Sequence, residues 1–232
     1  MNPEREWERR LLDYVKDATA GDSTGHDFYH AVRVKQLAVL IGQDEAADLD
    51  VLIAAAYLHD VARGEERVEN GRIVNDHVVA GMRCAREVLP RIGFPEDKIA
   101  QVVECIRHHE DYRWDEEGVK LSKEALILQD ADRLDAIGAI GIARAFAYGG
   151  AIGRPLWDPE EGPDEFQHGV VSRSTLHHFY EKLLRLKDIM NTDLGRKLAE
   201  ERHAYMEDFL ARFKREWEGG EIWRNQEISH ST

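Results

Sequence analysis

Apolar residues recur along most of the chain three and four positions apart, the period of helices that bury one face. This spacing predicts helices over about 3–18, 27–43, 46–62, 76–89, 96–109, 122–135, 137–147, 174–189 and 192–216, and no convincing strand. The residues at the predicted starts agree. Asp76 is placed to cap a helix beginning near His77, Pro95 suits a first turn, Ser122 precedes an apolar run, and Thr192 opens the last long helix. The expected fold class is therefore all-α: a single-domain helical bundle over 1–232, with its core at about 20–150 and C-terminal helices at about 174–216.

Two helices and one gap stand out. The segment near 46–62 carries the run VLIAAAYL just before His59, apolar on nearly every side, as in a helix at the centre of a bundle. The last helix sets Leu194, Leu198, Tyr205, Phe209 and Phe213 on a broad apolar stripe, which suits packing across a core or against a dimer partner, the former being the simpler reading. Between them, residues 148–172 are rich in Gly and Pro and lack a helical period, too long for an ordinary connection. This stretch is expected to be a lid or a flexible loop, with Arg154, Trp157 and His168 as residues that could meet a substrate.

The chemistry-bearing residues follow the same periodicity. Of eleven histidines, His26, His30, His59, His77, His108 and His109 fall in the first half of the chain. His30 continues the spacing of Val34, Leu37 and Ile41, His77 that of Gly81, Cys84 and Val88, and Asp132 that of Leu121, Ala125 and Leu128. Each therefore lies in the inward register of its helix. The stripe Ile99, Val102, Val103 and Ile106 likewise favours His109 over His108 for facing inward. A lone core histidine is usually just hydrogen-bonded, but several imidazoles and carboxylates converging in a core need compensation for lost hydration. A metal ion supplies it. Histidine nitrogens with carboxylate oxygens and no thiolates suit a divalent ion such as manganese, iron, nickel, cobalt, zinc or magnesium. His59 and Asp60 also follow the carboxyl end of the apolar helix, where the helix dipole favours a cation.

Composition narrows the partners. With 43% hydrophobic and 33% charged residues over 232 positions, the chain reads as globular, and it has no apolar run long enough to span a bilayer. The N-terminus lacks the features of a secretory signal, so a cytoplasmic location is expected. The formal net charge of −14 disfavours a nucleic-acid polymer, whereas a small phosphorylated substrate is compatible with a metal and a few local arginines. Cys84 and Cys105 read as reduced, buried apolar residues.

The ordered elements His30 in HDFYHAVRV, His59-Asp60 in AAAYLHDVA and Asp132 in QDADRLDAIGAIGIARAF resemble the defining pattern of the HD-domain superfamily of metal-dependent phosphohydrolases. More narrowly, the sequence is similar to a small stand-alone bacterial group sharing DADRLDAIGAIGIARAF, the YGG-loop-GRP segment and the closing EKLLRLKDIMNT helix, a likeness that spans nearly the whole chain. The resemblance implies one metal held by His30, His59, Asp60 and Asp132. Asp130 is the rival for the last place but lies on another face of the helix. His77 and His109 fall where some superfamily members hold a second metal; the alternative is that they contact phosphate or position water.

For the group, the resemblance implies hydrolysis of nucleoside triphosphates to monophosphate and pyrophosphate, with manganese-type ions supporting activity. Asp60 and Asp135 are then the candidates to orient the attacking water, with His77 as a further catalytic residue. Arg33, three residues after His30, is the best-placed cation for phosphate, followed by Arg144 and, least, Arg63, for which a surface salt bridge is the better reading. The competing functions are a nucleotide monophosphatase, a di-iron oxygenase and a non-catalytic nucleotide-sensing module. A cyclic-dinucleotide phosphodiesterase is disfavoured, because HHEDYRWDEEG lacks the glycine-rich signature expected after the histidine pair. A homodimer through the C-terminal helix is the expected assembly if there is one.

Overall fold

The apolar helix at the centre of the chain organises the rest. In the computed structural model, which describes residues 6–21, 25–65, 67–69, 72–112, 120–160 and 173–219, this helix is α3 (Leu49–Leu58), and every residue from Val51 to Leu58 is buried. Around it pack α1 (Glu6–Ala18), α2 (Phe28–Asp44), α4 (His77–Ile92), α5 (Ile99–His108) and α6 (Lys123–Asp135). A helix apolar all round buries its full circumference only when neighbours surround it, at roughly 1.5–3 kcal/mol for each large side chain removed from water. The all-α class is as expected, and α7 (Gly138–Ala151), α8 (Thr175–Glu181) and α9 (Asp193–Trp217) complete the helical set among the described residues.

Local chemistry sets the helix starts. The side chains of Asp27, Asp48, Asp76, Ser122 and Thr192 each accept a hydrogen bond from a backbone N–H in the first turn that follows. The expected caps at Asp76, Ser122 and Thr192 are all present. Pro95 instead precedes a 3-10 turn, Glu96–Lys98, before α5 begins.

The structure corrects the sequence reading in four further places. A short antiparallel hairpin, β1 (Arg67–Glu69) with β2 (Arg72–Asn75), joins α3 to α4 where no strand was expected; strands of three and four residues are too short to show alternation. The helix expected over 174–189 breaks at Lys182, where the backbone leaves the helical region, and continues as a 3-10 segment, Leu183–Ile189. Helix α7 runs on to Ala151, so the irregular stretch starts later than residue 148. Cys105 is buried as expected, but Cys84 is half-buried, with Sγ 3.1 Å from the Tyr14 hydroxyl.

The C-terminal helix packs inward. Phe209 and Phe213 join Phe146, Phe179 and Trp157 in one aromatic group, with Phe146 and Phe213 stacked at 6.0 Å between centroids and Trp157 edge-on to Phe213 at 6.4 Å. Its stripe thus lies on the core of the same chain, except that Tyr205 is exposed. Trp157 packs on α9, and Arg154 lies over the Tyr148 ring at 5.8 Å. His168, and with it most of the lid expectation, lies outside the described residues. No helix among the described residues is long and apolar enough to cross a membrane.

Asp130 ties α9 to α6. Its buried carboxylate accepts hydrogen bonds from the backbone N–H groups of Asn191 and Thr192, both at 2.8 Å, and from the Thr192 hydroxyl at 2.7 Å. A Cβ on Gly195 would come within 2.5 Å of that carboxylate, so glycine permits the approach. Asp130→Ala leaves these buried donors unsatisfied and is expected to lower unfolding stability by about 3 kcal/mol, read by denaturant titration. Divalent-ion affinity should stay unchanged in the same variant, which separates Asp130 from Asp132.

Candidate metal centre

Helix ends bring the chemistry together. His30 lies in the first turn of α2, and His59 and Asp60 follow α3 in a turn. His77 opens α4, His109 follows α5, and Asp132 and Asp135 lie in the last turns of α6. The sequence-expected ligands do converge. His30 Nε2 and His59 Nε2 stand 3.0 Å apart; Asp60 Oδ2 is 3.5 Å from the first and 3.7 Å from the second, and Asp132 Oδ1 is 3.6 and 3.7 Å from them. Asp130 is not among them.

The second nitrogen of each ring decides what the cluster can do. His59 Nδ1 donates to the Ala56 carbonyl at 2.8 Å, and His30 Nδ1 donates to Asp135 Oδ2 at 2.8 Å. With Nδ1 protonated in both neutral rings, each Nε2 presents a lone pair. Two lone pairs facing each other at 3.0 Å, beside two carboxylates, repel unless a cation or proton lies between them. This donor set fits a divalent ion with nitrogen and oxygen ligands.

A second group adjoins the first and shares Asp60. Asp60 Oδ1 lies 3.5 Å from His77 Nε2 and 3.4 Å from His109 Nε2, while His109 Nδ1 donates to the Ile106 carbonyl at 2.7 Å. Asp60 Oδ1 and His109 Nε2 are buried and make no hydrogen bond. Two triads therefore have ion-ligand spacing, His30-His59-Asp60 and Asp60-His77-His109.

The electrostatics point the same way. Burial alone would raise the Asp60 carboxyl, but His59, His109 and His30 overrule it and hold Asp60 well below the usual carboxylate range. Asp132 behaves alike, its burial opposed chiefly by His59 and His30. Burial would lower His109, yet Asp60 beside it draws it up to about 9. The carboxylates thus attract protons onto His109 and His30 with the same field that would hold a metal cation in their place.

The other expected residues are all nearby. Asp135 is buried rather than a surface carboxylate, and both its oxygens are engaged: Oδ2 by His30 and by Arg144 Nη1 at 2.8 Å, Oδ1 by Arg33 Nε at 2.6 Å. It orients His30. Arg33 and Arg144 are accordingly anchored on Asp135. His109, expected to face inward at a second-metal position or a phosphate contact, faces Asp60 from within the core.

Sequence reasoning missed or undervalued three further groups. Arg63 Nη1 donates to His77 Nε2 and to Glu110 Oε1, both at 2.7 Å, so the salt bridge expected of it is made, and it is made at the site. Glu110, the residue after His109, was not singled out. Lys182, at the helix break, places its ammonium 4.3 Å from the centroid of the Tyr112 ring; burial opposes its charge, but Tyr112, Glu110 and Asp132 hold it above its ordinary value. The EKLL context contains Lys182 but gives no spacing that would aim it at the site.

Histidines and carboxylates gathered from the ends of packed helices define a class of all-helical proteins with a buried His/Asp metal cluster. The chain belongs to the HD-domain family: the HD domain matches residues 27–137, the stretch that supplies His30 through Asp135. It is 36% identical over 215 residues to the uncharacterized protein YpgQ of Bacillus subtilis, covering 90% of this chain and 93% of that one. Among solved structures, an HD-superfamily hydrolase from Bacillus thuringiensis matches with a TM-score of 0.70 at 38% identity, covering 93% of this chain and 98% of that chain. The structure of Bacillus subtilis YpgQ in complex with ADP matches with a TM-score of 0.69 at 33% identity, covering 92% and 96%.

Because Asp135 accepts from the His30 ring, Asp135→Asn is expected to weaken divalent-ion binding by about 10–100-fold, measured by isothermal titration calorimetry on metal-stripped protein. An unchanged affinity would show that His30 needs no such partner.

Proposed function

We propose that this protein is a metal-dependent phosphohydrolase that cleaves a nucleoside triphosphate to the monophosphate and pyrophosphate, with a divalent ion, manganese foremost, held by His30, His59, Asp60 and Asp132. The observation that carries the reading is the facing pair of Nε2 atoms at 3.0 Å, flanked by Asp60 and Asp132. The ADP in the YpgQ structure supports a nucleotide as ligand.

When bound, the ion supplies Lewis acidity toward a phosphoryl oxygen and makes water a competent nucleophile near neutral pH. The chain's residues do the rest. Asp60 Oδ1, buried and without a hydrogen bond, accepts a hydrogen bond from the attacking water, orients it and takes its proton, while His109, drawn up by Asp60, stays protonated and faces that carboxylate at 3.4 Å. The water oxygen bonds to the α phosphorus, the bond from that phosphorus to the bridging oxygen breaks, and pyrophosphate leaves with that oxygen. Asp135, clamped by Arg33 and Arg144, keeps His30 in register. Lys182, its ammonium 4.3 Å from the centroid of the Tyr112 ring, offers a cation for the departing phosphates.

Metal-stripped protein incubated with a panel of nucleoside triphosphates and manganese in ¹⁸O-water is expected to release pyrophosphate and place the label in the monophosphate. His59→Ala and Asp60→Ala should each lose about 10³-fold or more in rate. Label in the pyrophosphate would move the attack to the β phosphorus, release of inorganic phosphate alone would favour a monophosphatase, and no turnover of any phosphate ester would sink the hydrolase reading.

Lys182→Met is expected to raise KM for the triphosphate by about 10-fold, the worth of one charge-assisted hydrogen bond, with manganese affinity unchanged. Steady-state kinetics and calorimetry together check this.

The Asp60-His77-His109 triad gives one specific reason for a second reading, a di-iron oxygenase. Its mark is two irons per chain and a product that requires oxygen.

A further inference from the structure

The two triads that share Asp60 differ in what already stands beside them. At the His30-His59 side, the nearest arginines, Arg33 and Arg144, are turned to Asp135 on the other edge of the His30 ring. At the His77-His109 side, Arg63 enters the site itself. Its Nη1 lies 2.7 Å from His77 Nε2, 2.7 Å from Glu110 Oε1 and 3.8 Å from Asp60 Oδ1. Glu110 Oε2 in turn is 3.3 Å from His77 Nε2.

Arginine only donates, so the His77 Nε2 lone pair is the acceptor of that short contact. An imidazole nitrogen has one lone pair, and the pair that meets Arg63 is the pair a metal ion would need. The charges exclude each other as well: a guanidinium nitrogen 3.8 Å from Asp60 Oδ1 repels a divalent ion that would sit between Asp60 and His77. Arg63 is anchored by Glu110, whose carboxyl is pushed up by burial but brought below its usual range chiefly by Arg63 and His109. The arginine belongs to a 3-10 turn, Arg63–Glu65, and is 27% exposed, so its removal opens no core cavity.

We propose that Arg63 is a built-in competitor for a second metal ion: it occupies His77, limits the chain to one divalent ion at the His30-His59-Asp60-Asp132 cluster, and supplies the second positive charge itself. This rests on the reading of that cluster as a metal site, and it bears on the choice of reaction, because a site restricted to one ion is no platform for di-iron oxygen chemistry.

The test is metal stoichiometry. The full chain, metal-stripped and then equilibrated with manganese(II), is freed of excess ion by gel filtration and counted by plasma mass spectrometry. Wild type should hold about one ion per chain, Arg63→Ala and the bulkier Arg63→Gln about two, and Arg63→Ala combined with His77→Ala about one again, with circular dichroism confirming the fold of each. Electron paramagnetic resonance should show an isolated manganese(II) signal in wild type and an exchange-coupled pair, bridged by Asp60, in the Arg63 variants. Two ions in wild type, or one in both Arg63 variants, overturns the competition. No ion in wild type overturns the metal reading of the first cluster and the inference with it, so the two failures are distinguishable.

Discussion

The contact between two imidazole nitrogens 3.0 Å apart, at the end of a helix with no polar face, is the constraint around which this molecule is arranged. Helix α3 ends where the apolar run ends, and the next two residues, His59 and Asp60, are buried with it. Polar groups at such depth need partners. The Ala56 carbonyl, in the last helical turn, accepts a hydrogen bond from His59 Nδ1 and leaves Nε2 to face His30. His109 repeats the device at the end of α5 through the Ile106 carbonyl. In both places the helix terminus sets which nitrogen of the ring is available.

Helix α6 shows how packing assigns different work to similar residues. Asp130, Asp132 and Asp135 lie within six positions, all on one short helix. Asp130 turns to the start of α9 and holds the connection between the two helices. Asp132 faces the His30-His59 pair, and Asp135 reaches behind His30 to meet two arginines. Successive faces of the helix meet α9, the site and α2, and each carboxylate takes its role from the neighbour it meets.

The likeness to YpgQ and to an HD-superfamily hydrolase extends over nine-tenths of the chain, which includes the C-terminal helices as well as the HD domain. Those later segments contribute to the site's surroundings. The helix break at Lys182 directs an ammonium toward Tyr112, and Arg63, next to the hairpin, reaches His77. Both cations come from irregular segments, whereas the acidic and imidazole groups come from helices and their ends. The proposed phosphate chemistry thus has its anionic and neutral ligands on helices and their ends, with Arg33 and Arg144 also on helices and two further cations from the connections.

The sequence by itself determined the helical class, the helix starts at Asp76, Ser122 and Thr192, and the inward direction of His30, His77 and Asp132, because periodicity and capping are properties of neighbours along the chain. It also separated Asp132 from Asp130 by helical face, as the packing bears out. The hairpin, the break at Lys182, the engagement of both Asp135 oxygens and the insertion of Arg63 into the second triad were decided only by tertiary structure. Each depends on which residue stands opposite across the fold: Arg63 meets Glu110 from 47 positions away, and Asp135 meets Arg33 from 102. Local spacing carries no record of such partners, because the distance between them is set by how the helices pack against α3.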